Sequence, residues 1–131
     1  MADQQLITEQ GYTSEVLRTY AGPPNSMLDK LTLGALGLAG ESGEVIDMIK
    51  KRLFQGHEID QEKLLDELGD VFWYYTLILQ ATGYSLQEVM LHNIEKLRRR
   101  YPDGFEIERS VNRSIVHEQE EASLLMQTHS S

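Results

Sequence analysis

Two short stretches decide how this chain folds: Gly40-Glu41-Ser42-Gly43-Glu44-Val45 and Asp66-Glu67-Leu68-Gly69-Asp70-Val71. Each sets two carboxylates three residues apart inside a longer segment of helical periodicity. Three residues nearly complete a helical turn, so Glu41 shares a face with Glu44, and Glu67 with Asp70. A single pair of this kind usually belongs to a solvated face. Here the motif occurs twice, on consecutive segments that a short loop makes antiparallel neighbours. A helical wheel puts all four carboxylates at the edges of apolar stripes, half-buried, while Asp66 points to solvent. Gly40, Gly43 and Gly69 leave room beside them. Four carboxylates brought together repel one another unless a divalent cation sits among them. Oxygen-only donors suit Mg2+, with Mn2+ as the alternative.

Outward from these stretches the chain reads as helices throughout. The first spans residues 4 to 20, interrupted by Gly11 and closed by Gly22-Pro23-Pro24. Asn25 or Ser26 caps the second, which runs to Gln55 before Gly56. Its apolar stripe is Leu38, Val45, Ile49 and Leu53, and its glycines imply close approach of another backbone or a ligand. Asp60 caps a third helix over 61–82, with Leu64, Leu68, Val71, Tyr75, Ile78 and Leu79 as its stripe and Gly83 as its stop. Ser85-Leu86-Gln87-Glu88 is a capping box opening the fourth, which Pro102 ends. Leu86, Val89, Met90, Ile94, Leu97 and Tyr101 form the face it is expected to bury. Phe105 to Arg113 shows no clear period. His117 to Met126 is read as a short helix, and Gln127 to Ser131 as disordered. No strand pattern competes, so the expected architecture is an all-α bundle.

Bulk composition narrows the function. The chain has 131 residues, enough for one domain with a core, and a net charge of −9. So acidic a chain is ill suited to gripping a nucleic-acid backbone. There is no cysteine, which excludes disulfides, thiol nucleophiles and thiolate metal sites. No apolar run is long enough to span a membrane, and MADQQLITEQ lacks the pattern of a signal peptide, so a cytoplasmic location is expected.

The remaining polar clusters are weighed in the same way. Lys96 to Arg100 is mostly basic, and charge there complements a helix C-terminus. Asn93, Lys96 and Arg100 share a flank beside the apolar stripe, where two cations and an amide can bind phosphates. Arg98 and Arg99 point elsewhere. No His follows a Glu by three residues, so the ligand signature of di-iron bundles is absent. Trp73, Tyr74 and Tyr75 read as core or helix-interface residues. No phosphate-binding P-loop is present, so phosphates would be held by metal and cations instead.

The ordered set E-x-x-E, 22 residues, E-x-x-D, then Asn93-x-x-Lys96-Leu97-x-x-Arg100-Tyr101-Pro102-x-Gly104-Phe105 resembles the MazG-like, all-α nucleoside triphosphate pyrophosphohydrolases. The likeness covers about residues 28 to 113 and includes Leu38-Ala39-Gly40-Glu41-Ser42-Gly43-Glu44. It implies a four-helix bundle of the all-α NTP pyrophosphatase type in residues 1–113, followed by a C-terminal extension, 114–131. It implies Mg-dependent hydrolysis of an NTP or dNTP, modified ones included, to the monophosphate and pyrophosphate, as a nucleotide-pool-cleaning activity. Carried over by residue, Glu41, Glu44, Glu67 and Asp70 would be metal ligands. Asn93, Lys96, Arg100 and Tyr101 would bind the substrate's sugar and phosphates. Either Glu41 or Glu44 would be the catalytic base. Assembly as a homodimer or homotetramer is implied, as is the absence of nucleic-acid or membrane partners. The competing expectation is a non-catalytic helical oligomer or interaction protein with an acidic metal-binding edge.

Overall fold

The computed structural model describes residues 6–112, and among these the only regular elements are helices. They are α1 (Glu9–Thr19), α2 (Met27–Phe54), α3 (Gln61–Thr82), α4 (Leu86–Arg100) and the one-turn α5 (Ile107–Val111). The all-α expectation therefore holds. The readings for residues 114–131 fall outside the described residues. A first compact unit ends at Glu88 and a second begins at Val89, so α4 starts in one and continues in the other. No helix among the described residues is long and apolar enough to cross a membrane.

The helix boundaries follow local chemistry. Thr8 caps α1 by accepting from the Gly11 amide at 3.0 Å, so Gly11 lies in the first turn and interrupts nothing. Ser26, rather than Asn25, caps α2, its Oγ accepting from the Asp29 amide at 3.1 Å. Asp60 caps α3 by accepting from the amides of Glu62 and Lys63. Gly83 closes α3 at φ +78°, a left-handed conformation that costs glycine little. The capping box forms in full: the Ser85 amide donates to Glu88 at 2.7 Å, and the Glu88 amide donates to Ser85 Oγ at 3.1 Å. The Leu86 amide also donates to Glu9 of α1 at 2.5 Å, joining the start of α4 to the first helix.

The core of the first unit is the α2–α3 pair, with α1 laid against α3. Leu77, Leu79, Met48 and Val16 are buried. The close approach of α2 and α3 depends on two glycines. A Cβ on Gly34 would stand 2.5 Å from Ile78 Cγ1 and 3.2 Å from the Tyr74 carbonyl oxygen. A Cβ on Gly37 would stand 2.2 Å from the Tyr74 ring. Aromatic contacts fasten α1: Tyr12 and Phe72 lie 5.0 Å apart between ring centroids, and Trp73 Nε1 donates to Thr19 Oγ1 at 2.8 Å. The expected interface role of the aromatic cluster is thus observed for Trp73 and Tyr74. The Gly22-Pro23-Pro24 linker is held by Lys30, buried despite its charge. Its ammonium donates to the Pro24 carbonyl at 2.6 Å and lies 5.6 Å from the Tyr20 ring centroid.

The stripes differ from expectation in three places. On α2 the buried residues are Lys30, Gly34 and Met48, whereas Ile49 and Leu53 are exposed. The face that meets α3 is set by the small residues that allow approach, not by the largest apolar ones. On α3, Leu68 is exposed and Leu77 is fully buried. On α4 no residue is buried: Met90, Ile94 and Leu97 are 49%, 41% and 43% exposed. An amphipathic helix hides its stripe only against another apolar surface, and in the single chain this one stays open. Phe105 to Arg113 contains α5, which at five residues is too short to show a period.

Two alanine substitutions separate close packing from helix propensity. Gly34→Ala is expected to destabilise the protein by about 1–3 kcal/mol through overpacking. Gly40→Ala, where a Cβ meets nothing within 4 Å, is expected to stabilise it by up to about 1 kcal/mol. Chemical denaturation of the two variants beside the parent protein measures both.

Candidate metal centre

Glu41 stands fifteen residues into α2, and Glu67 and Asp70 stand seven and ten residues into α3. The packing at Gly34 and Gly37 sets the two helices close enough for these side chains to meet. One carboxylate oxygen from each of Glu41, Glu67 and Asp70 lies within 4.8 Å of the other two. Glu41 and Glu67 are half-buried and Asp70 is exposed. Around them the helices are open, since a Cβ on Gly40, Gly43 or Gly69 would find nothing within 4 Å. The glycines that allow the helices to meet are therefore different from those that keep the mouth of the cluster clear.

The cluster is electrostatically strained. Burial pushes the Glu41 carboxyl above the usual glutamate range, and the charges of Asp70, Glu67 and Glu44 push it further. The Tyr12 phenol is also raised, first by burial and then by the charge of Asp70. One cation is at hand within the cluster's own helices. Lys63 Nζ lies 4.0 Å from Glu67 Oε1, whose side chain is only 13% exposed. This lysine was not singled out from the sequence, although its i,i+4 spacing to Glu67 was there to be read.

Glu44 behaves differently from its expected partner. It is exposed and is not one of the three converging carboxylates, although its charge reaches Glu41. Three residues carry it about 60° round α2 from Glu41, toward the Lys51 side. Lys51 pairs with Asp47 at 2.5 Å, and its ammonium is raised chiefly by that hydrogen bond, with a smaller contribution from Glu44. Asp47 also pairs with Lys50, and the two lysines hold its carboxyl down at about 2. Ser42 turns back onto its own helix, donating to the Leu38 carbonyl at 2.7 Å, so it is not presented as a nucleophile. Asp66 is exposed, as its place on the wheel required.

The expected substrate-binding residues lie on and just beyond α4. Asn93 and Arg100 are exposed, and Lys96 and Tyr101 are half-buried. The Tyr101 ring lies 5.4 Å from that of Phe105 across the Pro102-Asp103-Gly104 turn, where Gly104 adopts φ +99°.

Three carboxylates with no histidine or thiol among them form a donor set for a hard divalent cation. The arrangement fits such an ion on two grounds: the oxygens already converge, and Glu41 bears the cost of their mutual repulsion.

Comparison with known proteins gives concordant results. Residues 30–105 match the family model of the MazG nucleotide pyrophosphohydrolase domain. The chain is 31% identical over 81 residues to the "Gene 37 protein" of Mycobacterium phage L5, covering 59% of this chain and 71% of the phage protein. No solved structure matches the chain significantly.

Because the folded protein raises the Glu41 pKa, its ionised form is less stable in the fold than in the open chain. In metal-free buffer at neutral pH, Glu41→Gln is expected to raise the Tm by a few degrees. That gain should vanish as pH falls below the ordinary carboxylate range, where glutamate is neutral in both states. Added Mg2+ should raise the Tm of the parent protein and have less effect on the variant. Thermal melts across pH, with and without Mg2+, check all three outcomes.

Proposed function

The chain belongs to the MazG nucleotide pyrophosphohydrolase domain family, and from that premise we propose that it hydrolyses a nucleoside triphosphate to the monophosphate and pyrophosphate with Mg2+ as cofactor. The observation that carries this reading is the convergence of Glu41, Glu67 and Asp70 within the matched residues 30–105. Mn2+ has the same preference for oxygen donors and is the alternative ion. The substrate is an NTP or dNTP, modified ones included, and the role is cleansing of the nucleotide pool in the cytoplasm.

Glu41, Glu67 and Asp70 would hold the cation, with Glu44 as a further ligand reached from the exposed side of α2. When bound, the ion supplies Lewis-acid stabilisation of charge on phosphoryl oxygens and makes water more acidic. The chain's own residues do the remainder. Glu41 is assigned as the acceptor of the attacking water's proton, since a carboxylate positioned beside that water can serve as general base. Glu44 is the alternative. Lys63 offsets the carboxylates' charge from α3 and is a candidate contact for phosphate. Asn93, Lys96, Arg100 and Tyr101 are assigned to the substrate from the motif that contains them. The two cations would bind phosphate oxygens, Asn93 the sugar or the nearby phosphate, and Tyr101 would assist them.

Assembly as a homodimer or homotetramer accompanies this reading. On α2, Leu36, Ile46, Leu53 and Phe54 are between 65% and 80% exposed, and the α4 stripe is open as well. Apolar surface of this extent on a small chain favours association.

Incubation with a panel of nucleoside triphosphates and Mg2+ should release pyrophosphate as the first product. Release of orthophosphate alone would sink the bond assignment, and no turnover across the panel would favour a non-catalytic oligomer. Glu67→Gln is expected to lower turnover by about 100-fold or more while leaving the helical circular dichroism unchanged. Light scattering coupled to gel filtration should give two or four times the 15.0 kDa of one chain.

A further inference from the structure

Most cations of the first unit have their partners away from the carboxylate cluster. Arg18 pairs with Glu15, Lys50 and Lys51 with Asp47, and Arg52 with Glu58. Lys30 is buried against the Pro24 carbonyl. Lys63 is the exception, with its ammonium 4.0 Å from Glu67 Oε1. Lys63, Glu67 and Asp70 stand at i, i+4 and i+7 on α3. At about 100° per residue, Glu67 lies about 40° to one side of Lys63 and Asp70 about 20° to the other. The lysine therefore sits on the face that carries both α3 carboxylates, one turn nearer the start of the helix.

Local helix stability does not account for a cation at this position. Lys63 is the third residue of α3, where the helix dipole disfavours positive charge. Its order relative to Glu67, cation before acid, is the weaker of the two i,i+4 arrangements. An ion pair on an open helix surface also does little, because water screens both charges. This pair differs on its acidic side: the Glu67 side chain is 13% exposed, against 50% for Lys63. Less screening by solvent leaves the ammonium's field stronger at the Glu67 oxygens, and so at the place where the three carboxylates converge.

Resting on the reading of Glu41, Glu67 and Asp70 as ligands of a divalent cation, we propose that Lys63 is the built-in counter-ion of that centre and sets its affinity. It offsets the crowded carboxylates when no ion is bound, and it weakens the binding of a bare divalent cation. Both effects have one cause: a fixed positive charge one turn from Glu67 cancels part of the attraction the carboxylates exert and repels an incoming cation. Lys63 is thus a positioning residue that acts through Glu67. This role is separate from any contact with phosphate, so it is measurable in protein free of nucleotide.

Titration calorimetry with MgCl2 alone, at low ionic strength, tests it on the full chain. Lys63→Met keeps the unbranched stem and the helix propensity while removing the charge. This variant should bind Mg2+ about 3- to 10-fold more tightly than the parent protein. Lys63→Arg restores a cation and should return the affinity to the parental range. Lys50→Met removes an equal charge beside Asp47 and should leave the affinity parental. An equal gain in that control would assign the effect to net charge and overturn the proposal. Affinity in Lys63→Met no tighter than parental would overturn it too, with the metal centre left standing. Absence of Mg2+ binding in the parent and in every variant would remove the metal reading and this proposal together.

Discussion

The constraint on which this structure turns is the repulsion among Glu41, Glu67 and Asp70. Their oxygens lie within 4.8 Å of one another, and the Glu41 carboxyl is raised by burial and by its neighbours. Something else must hold the helices together against that cost. The contact of α2 with α3 does so: Gly34 and Gly37 admit Ile78 and Tyr74 at distances a Cβ would forbid. The buried apolar residues on these two helices then supply the favourable term. The strained cluster and the tightest packing are separate places on one helix pair. This division lets the packing carry stability while the cluster stays open to solvent and ligand.

Around that pair, the other elements in the first unit serve as supports. The helix α1 is fastened to α3 by the Tyr12–Phe72 and Trp73–Thr19 contacts, and Glu9 reaches the first turn of α4. Tyr12 feels both environments, since burial raises its phenol and Asp70 adds to the effect. The linker before α2 is anchored by a buried ammonium, Lys30, on a carbonyl and a ring face. These are small contacts taken singly. Together they give the helix pair a fixed third neighbour.

Much of this was legible before any coordinates. Helix limits were readable because caps are local: Ser26, Asp60, Gly83 and the Ser85–Glu88 box each act within a few residues of themselves. The nearness of Glu67 to Asp70 was readable because E-x-x-D spacing places both groups on one face whatever surrounds the helix, whereas the same reading of Glu41 and Glu44 did not show that Glu44 stays outside the converging set. The exposure of Asp66 followed from the same wheel. Less readable was the partner each face would meet. Ile49, Leu53 and Leu68 were expected in the buried stripes and are exposed, while the charged Lys30 is buried. Burial depends on which faces two helices present to each other, and here the small residues chose that.

The sequence by itself determined the helical class, the limits of α2 and α3, the oxygen-only character of the candidate centre and the family motif. All of these rest on residue type and spacing along the chain. Only the tertiary structure decided which carboxylates converge. It set Glu41 with Glu67 and Asp70 and left Glu44 turned toward the Lys51 side. The reason is geometric. A helical wheel fixes directions around one axis, but the distance between groups on two helices depends on how closely and in what register they pack. That was settled by the absent side chains of Gly37 and Gly34, about one and two turns before Glu41 on α2.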